Sequence, residues 1–192
     1  SVAQQLYQGV DLPGEGTVGL ITYMRTDSVH LADSSITAAR EMIEAQFGKD
    51  FLPEKPRQYK TKTAAQAAHE AIRPTDPARL PPQVEGRLSP DQAKLYRLIW
   101  ERFVACQMES AVYAITTVDV QSGMGVFRAT GKTLVKEGHS RVTGPKIGPD
   151  EQLLPDLAPD AVIDAWSVDP TQHFTEPPPR YSEATLVKQL EK

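Results

Sequence analysis

The sequence has 192 residues, of which 40% are hydrophobic and 24% are charged. This balance is typical of globular proteins and excludes an intrinsically disordered chain. The net charge of −4 at pH 7 argues against a generic nucleic-acid coat, for which a strongly basic domain is expected. The single cysteine, Cys106, excludes a disulfide framework and is expected to be a buried, inert thiol of a reducing compartment.

The first half of the chain is predicted to be mainly helical. Residues 2–7 are typical of a helix end, and the apolar run 18–24 predicts a short buried strand. Apolar residues recur at helical spacing over residues 33–47, which end at a glycine. The alanine-rich segment 63–72 is also predicted to be helical, up to Pro74.

The strongest helix start in the sequence lies at Ser89. Ser89 can cap a helix, Pro90 suits the first helical position, and Gln92 completes a capping box. The helix is predicted to run to about Cys106. Its apolar residues share one face and are expected to be buried: Ala93, Tyr96, Ile99, Trp100 and Phe103.

The second half of the chain is predicted to be β-rich. Four segments are typical of strands, with a turn near Gly123 between the first two: 112–121, 125–130, 161–168 and 171–175. The three prolines at 177–179 predict a stiff extended linker. Ser182 is then expected to cap a final helix that continues through Leu190.

These elements predict an α+β fold with more than one domain. A mainly helical domain is expected at residues 1–108 and a β-rich arm at 109–176. Residues 177–192 are expected to form a linker and the first helix of a further, truncated domain. The sequence contains no internal repeat.

Tyr23 and Arg25 form the most informative pair of side chains in the sequence. In an extended segment, residues two apart project from the same face. A phenol can act as a covalent nucleophile, and a neighbouring guanidinium can favour the phenolate and bind a phosphate oxygen. Spacing alone leaves a second interpretation open, in which Tyr23 is a packing residue whose hydroxyl binds a neighbour.

Three longer motifs resemble the bacterial type IA DNA topoisomerase family. GLITYMRTDS at residues 19–28 is similar to the active-site segment of that family over all ten residues, and AHEAIRP at 68–74 is similar to a second family motif. PPRYSEATLVK at 178–188 resembles the segment where the family chain re-enters the domain near the entrance of the cleft. Intervening pieces within 94–108 match too, so the resemblance covers almost the whole chain in the order of the family.

The resemblance implies roles for individual residues. Tyr23 would become covalently linked to a 5′ DNA phosphate. Arg25, two positions later, would support cleavage and contact DNA. His69 would bind the DNA backbone near the scissile phosphate, although a histidine in this context can also be merely exposed or hydrogen-bonded.

Arg73 has two interpretations that the sequence leaves equally open. It follows His69 by four residues and, on a helix, would share its face. It would then contact DNA with His69. Alternatively, it forms a structural ion pair with Glu70 or Asp76.

The resemblance also implies a metal ion and a partner domain. In the family an acid-rich Toprim domain precedes this region and carries a carboxylate cluster for Mg²⁺, together with a glutamate and a lysine that complete the cleavage site. No Asp-x-Asp pair and no cysteine or histidine cluster in the sequence could replace it. We therefore expect the chain to contain no metal ligands and Mg²⁺ to be bound by a domain outside it.

The implied function is that of a fragment of an ATP-independent DNA topoisomerase. Such an enzyme cleaves one strand through a 5′-phosphotyrosine intermediate, passes a strand and religates, which relaxes negative supercoils. Residues 1–108 would carry the nucleophile, 109–176 would form one arm of the central arch, and 177–192 would begin a third helical domain. The expected partners are single-stranded or negatively supercoiled DNA and the Toprim domain. We expect the fragment to be inactive alone.

The cellular location is expected to be the cytoplasm, in association with the nucleoid. No signal peptide opens the sequence, and no apolar run reaches the roughly 18–20 residues of a membrane helix. The sequence therefore predicts a soluble protein with no membrane partner.

Three alternatives to the enzyme fragment stay open at this point. The chain could be a binding module that holds single-stranded DNA through phosphate contacts without chemistry. It could be a structural piece that self-associates through open sheet edges. A tyrosine recombinase would require several arginines and histidines around a tyrosine near the end of the chain, whereas Tyr23 lies near its start.

Overall fold

Helices and two β-hairpins alternate along the computed structural model, which describes residues 1–59, 69–145, 154–155, 157–164 and 167–190. The helices are α1 (Val2–Gln8), α2 (Asp33–Phe47), α3 (Pro81–Val84), α4 (Pro90–Gln107), α5 (Ser140–Thr143) and α6 (Glu183–Leu190). The strands are β1 (Val10–Leu12), β2 (Gly16–Val18), β3 (Val112–Ser122) and β4 (Gly125–Lys136). Packing divides the chain into two units, Ser1–Leu154 and Pro155–Lys192. The mixture of helices and antiparallel strands confirms the predicted α+β class.

Helix α4 begins as its sequence predicts. The Ser89 hydroxyl accepts a hydrogen bond from the Gln92 N–H at 3.4 Å, and the Gln92 side chain accepts one from the Ser89 N–H at 2.8 Å. Pro90 occupies the first turn, where a missing N–H costs nothing. This reciprocal capping box fixes the start of the longest helix among the described residues.

The core of the first unit lies between α1, α2 and α4. Tyr96, Trp100 and Phe103 of α4 are buried as predicted, whereas Ala93 and Ile99 are only partly buried. The buried polar atoms of the two large aromatic residues bind loop carbonyls: Tyr96 Oη donates to Arg79 O at 2.7 Å, and Trp100 Nε1 donates to Pro77 O at 2.9 Å. Burial of each aromatic side chain stabilises the fold by about 1.5–3 kcal/mol. The loop that precedes α3 is thereby fixed to α4.

Strands β3 and β4 form one long antiparallel hairpin. They pair from Ser122 opposite Gly125 back to Val112 opposite Lys136, and Gly123 adopts φ 59° in the turn. The prediction of two strands around this glycine is confirmed. The second strand extends to Lys136 instead of ending at residue 130, because the first strand offers a pairing partner over its whole length.

The predicted strand at 18–24 is wrong beyond residue 18. Strand β2 ends at Val18, and Ile21 forms only an isolated bridge with Pro74. Gly19 instead runs against the end of α1, where a β-carbon would lie 2.7 Å from the Tyr7 carbonyl oxygen. Leu20 and Ile21 are buried as expected of this apolar run.

The predicted helix at 63–72 is wrong where it can be assessed. Residues 63–68 lie outside the described residues, and residues 69–72 are not helical. The Ala71 N–H donates to His30 O at 2.8 Å, and the Arg73 N–H donates to the Thr22 hydroxyl at 2.9 Å. These amides bind partners outside the segment, so they are not available for helical hydrogen bonds.

The described residues of the second unit contain the predicted final helix but not the predicted strands. The Ser182 hydroxyl accepts from the Thr185 N–H at 3.3 Å and begins α6. In contrast, the described parts of 161–168 and 171–175 are exposed and contain no strand. Val162 and Phe174 are 95% and 80% exposed. An isolated strand is not stable without a neighbour, and the described residues of this unit supply none.

The described helices are all too short or too polar to cross a membrane. The boundaries predicted at residues 108 and 176 stay predictions. The hairpin that begins the predicted arm lies in the first unit, and α6 lies in the second.

Candidate active site

Two segments that are far apart in the sequence pair at the candidate site. The Thr22 N–H donates to Arg73 O at 2.9 Å, and the Thr75 N–H donates to Leu20 O at 3.1 Å. The Thr22 hydroxyl donates to Ala71 O at 2.8 Å. Two of the three motifs singled out in the sequence, those that contain Tyr23 and His69, are therefore joined by hydrogen bonds into one local structure.

Tyr23 lies at the surface, immediately after this pairing, with 52% of its area exposed. The Arg25 N–H donates to the Tyr23 carbonyl at 2.9 Å, an i→i+2 bond that turns the chain. The part of the predicted strand that covers residues 23 and 24 is therefore wrong. The ring of Tyr7 packs against Tyr23 edge-on, with the centroids 5.4 Å apart and the planes at 63°. This contact restrains the phenol from one side and leaves it accessible.

Arg25 and His69 are in direct contact. Arg25 Nη1 lies 3.0 Å from His69 Nε2. A guanidinium has only donors, so Nε2 accepts and the ring proton resides on Nδ1. His69 Nδ1 lies 3.5 Å from Asp27 Oδ2, which is also 3.9 Å from Arg25 Nε. A carboxylate therefore faces both the cation and the imidazole, and it restrains their orientation.

Arg73 is held in an ion pair. Its Nε and Nη2 donate to the two oxygens of Glu70 at 2.7 and 3.0 Å. Only 13% of the Arg73 side chain is exposed. Of the two interpretations that the sequence allowed, this geometry supports the structural pair, with Glu70 and not Asp76 as the partner. DNA contact by Arg73 stays a prediction.

Glu70 also binds the start of α2. Its Oε1 accepts from the Ala32 N–H at 2.9 Å and from the Ser35 hydroxyl at 3.5 Å. Burial acts to raise the pKa of Glu70, but the hydrogen bonds from Arg73, Ala32 and Ser35 and the charge of Arg73 outweigh it and lower the pKa from its ordinary value of 4.5. Glu70 is therefore a charged anchor between helix α2 and the segment that carries His69.

Tyr23, Arg25 and His69 border one open cavity of about 570 Å³. Tyr7 and Glu70 also line it. The cavity combines an accessible phenol, a half-exposed guanidinium and an imidazole, which is a set suited to a phosphate ester. Three of the four residues predicted from sequence are thus brought together, and Arg73 lies beside them with its charge paired.

Two residues of the site were not predicted. Asp27 carries no sequence signal for this role, because its contact with His69 depends on how the two segments meet in space. Tyr7 carries no sequence signal, because its contact with Tyr23 depends on the close approach of Gly19 to the end of α1.

The described residues do not fit a metal site. Over these parts of the chain, no group of three or more histidine, cysteine, aspartate or glutamate side chains lies together to hold an ion.

Comparison with known proteins identifies the class of protein. The family model of the DNA topoisomerases matches residues 1–192. The chain belongs to this family of DNA topoisomerases.

Curated relatives share the sequence at high identity. The chain is 43% identical to DNA topoisomerase 1 of Rickettsia felis and of Rickettsia conorii over 197 aligned residues, covering 99% of this chain and 25% of each relative. DNA topoisomerase 1 of Rickettsia bellii is also 43% identical, with 24% of its length covered. The chain therefore spans about a quarter of these proteins.

A solved structure shares the fold. Full-length topoisomerase I from Thermotoga maritima superimposes with a TM-score of 0.71 at 34% identity, covering 99% of this chain and 30% of that protein.

Proposed function

We propose that this chain is the nucleophile-bearing part of a type IA DNA topoisomerase and that Tyr23 is its nucleophile. The observation that supports the proposal most strongly is the exposed Tyr23 phenol at a cavity that Arg25 and His69 also line. Family membership supports DNA as the substrate. Because the chain spans about a quarter of its relatives, the complete reaction belongs to the longer protein.

The proposed reaction exchanges one phosphodiester for another. The Tyr23 oxygen attacks the phosphorus, the bond from phosphorus to the 3′ oxygen breaks, and the 5′ phosphate stays on the tyrosine. The phenol loses a proton and the released 3′ oxygen gains one. The bond energy is conserved in the phosphotyrosine, so the 3′ hydroxyl can attack back and reseal the strand without ATP.

Arg25 and His69 have complementary roles in this proposal. Arg25 binds a non-bridging phosphate oxygen and stabilises the charge that develops there. His69 contacts the DNA backbone, and its imidazole can take up or release a proton. Their contact at 3.0 Å holds both side chains at the cavity before DNA arrives.

The remaining parts of the enzyme are proposed to lie outside this chain. A Toprim domain would supply Mg²⁺ and the acidic residues that complete the cleavage site, and the isolated chain would be inactive. Residues 1–108 would form the domain that moves to open a gate in the cleaved strand, and 109–176 would form an arm of the arch that permits this motion. Single-stranded or negatively supercoiled DNA in the nucleoid would be the substrate.

A binding module without chemistry is the second candidate function. The exposed Arg25 and the partly buried His69 beside an open cavity suit phosphate contacts whether or not Tyr23 reacts. Such a module would bind single-stranded DNA in a salt-sensitive and metal-independent manner, and it would form no covalent product.

The two candidates are distinguished by mixing the chain with a separately produced Toprim domain, Mg²⁺ and a 3′-labelled single-stranded oligonucleotide. We expect a denaturant-stable protein–DNA adduct that Tyr23→Phe abolishes, and no adduct without the Toprim domain. If the pair does not reassemble, the same assay is made on the full-length enzyme. An adduct that persists in Tyr23→Phe overturns the assignment of the nucleophile, and salt-sensitive binding without any adduct in the full-length enzyme favours the binding module.

A further inference from the structure

The side chain of Thr22 joins the two segments of the candidate site at the residue that precedes the nucleophile. Its hydroxyl donates to Ala71 O at 2.8 Å and accepts from the Arg73 N–H at 2.9 Å. A hydroxyl has one proton to donate and two lone pairs. Thr22 therefore satisfies two backbone groups of the opposite segment with one oxygen atom.

This hydroxyl extends a short backbone pairing between the two segments. The pairing consists of the bridge between Ile21 and Pro74 and the two bonds beside it, from the Thr22 N–H to Arg73 O and from the Thr75 N–H to Leu20 O. The Ala71 N–H is already bound to His30 O. On the side of the pairing toward His69, the Thr22 hydroxyl adds two hydrogen bonds to the backbone bond that the Thr22 N–H donates to Arg73 O, so the register of the two segments there rests largely on Thr22.

The reactive residues lie immediately beyond this link. Tyr23 follows Thr22 in the chain, and His69 lies two residues before Ala71. The contact between Arg25 and His69 bridges the same two segments at 3.0 Å. A change in the register of Thr22 against Ala71 would displace the phenol and the guanidinium relative to the imidazole.

We infer that Thr22 is a positioning residue, whose hydroxyl sets the placement of Tyr23 and Arg25 relative to His69. This inference deepens the proposed function and rests on it. Thr22 is half-buried, and its proton is used by Ala71 O, so its hydroxyl acts on the reaction through its neighbours and not as a donor to DNA. Displacements of about 1 Å in a reacting group can lower a rate by about 100-fold, so a single link of this kind has measurable consequences.

Two matched pairs of variants of the full-length enzyme isolate the hydroxyl. Thr22→Val exchanges the hydroxyl for a methyl group of the same shape, and Thr22→Ser against Thr22→Ala repeats the comparison without the methyl group. The single-turnover rate of adduct formation is measured at saturating single-stranded oligonucleotide, and DNA affinity is measured separately. The thermal unfolding transition of each variant gives its folded fraction at the assay temperature. Each rate is divided by that fraction.

We expect Thr22→Val and Thr22→Ala to lower the saturating rate by about tenfold or more, with DNA affinity changed by less than about twofold. Thr22→Ser should retain the wild-type rate to within about threefold. Thr37→Val is the control, because the Thr37 hydroxyl also donates to a backbone carbonyl, Asp33 O at 2.9 Å, but on the exposed face of α2. It should leave the rate unchanged.

Several outcomes would overturn the inference. The first is a wild-type saturating rate in the folded Thr22→Val or Thr22→Ala enzyme. The second is a loss that appears only in DNA affinity. The third is a failure of both hydroxyl-free variants to fold, which would make Thr22 a folding determinant. Tyr23→Phe is assayed alongside. An adduct that persists in Tyr23→Phe contradicts the proposed function itself. If Tyr23→Phe loses the adduct and Thr22→Val keeps full activity, only the positioning role is contradicted.

Discussion

The guanidinium of Arg25 donates to the imidazole of His69 across 3.0 Å, although the two residues are 44 positions apart in the sequence. The contact fixes the tautomer of His69, because Nε2 accepts and the proton lies on Nδ1, toward Asp27. Both side chains are therefore oriented at the cavity before any ligand enters it. Orientation of this kind lowers the cost of reorganisation during phosphoryl transfer.

Arg25→Lys should lower the saturating rate of adduct formation in the full-length enzyme by about 100-fold. Lysine keeps the positive charge but loses the planar fork that can bind His69 and a phosphate oxygen at the same time. The loss should appear in the single-turnover rate more than in DNA affinity. Arg128→Lys is a matched control, because Arg128 binds Asp119 through two nitrogens at 2.7 and 2.8 Å on the exposed hairpin. Wild-type cleavage by Arg25→Lys would contradict the role given to the guanidinium.

Glu70→Ala should lower the free energy of unfolding by about 1–3 kcal/mol, because it leaves the mostly buried Arg73 without its partner. It also removes the acceptor of the Ala32 N–H. The midpoint of urea unfolding measures the first effect, and hydrogen exchange of the Ala32 amide measures the second. Glu85→Ala breaks an exposed ion pair with Arg97 and should leave stability nearly unchanged. Equal midpoints for the two variants would contradict the anchoring role of Glu70.

The contribution of Glu70 to stability should depend on pH. Hydrogen bonds lower the pKa of Glu70 in the folded state, against the opposing effect of burial, from its ordinary value of 4.5. A carboxyl group whose pKa is lower in the folded state than in the unfolded state stabilises the fold at pH values above the pKa of the unfolded state. This stabilisation is lost as the pH falls through the pKa of the folded state. The free energy of unfolding of the wild type should therefore exceed that of Glu70→Gln by the largest amount at pH 7. This difference should shrink as pH is lowered below 4.5. A difference that is constant with pH would exclude an ionised Glu70 as its source.

Cys106 should react slowly with iodoacetamide at neutral pH. Burial raises the pKa of its thiol, and its Sγ donates to Phe103 O at 2.9 Å. Since the thiolate is the nucleophile, alkylation should be at least about tenfold slower in the folded protein than in urea. Mass spectrometry of the peptide that contains Cys106 follows the reaction. Equal rates in both conditions would show that the fold neither shields this thiol nor raises its pKa.

Local sequence signals predicted the elements whose hydrogen bonds are local. The capping box at Ser89, the apolar face of α4 and the hairpin around Gly123 depend on neighbours within a few residues or on one turn. The wrong predictions around the candidate site share one cause, which is pairing at long range. The segments that contain Tyr23 and His69 were predicted as strand and helix, but their backbone groups bind each other and His30.

The sequence predicted only part of the candidate site, because contacts at long range also determine its geometry. Tyr23, Arg25 and His69 carry motifs that sequence resemblance can recognise, and all three line one cavity. The contacts of Tyr7 and the pairing of Asp27 are set by how the segments meet in space. No pattern along the chain encodes them.

The most direct test of the account identifies the residue that is linked to DNA. The full-length enzyme is trapped on a single-stranded oligonucleotide, the adduct is digested, and the modified peptide is sequenced by mass spectrometry. Tyr7 is the natural rival nucleophile, since it is 42% exposed and its ring centroid lies 5.4 Å from that of Tyr23. We expect a 5′-phosphate nucleotide on Tyr23, with the adduct retained in Tyr7→Phe and lost in Tyr23→Phe. A nucleotide on Tyr7 or on any other residue would contradict it.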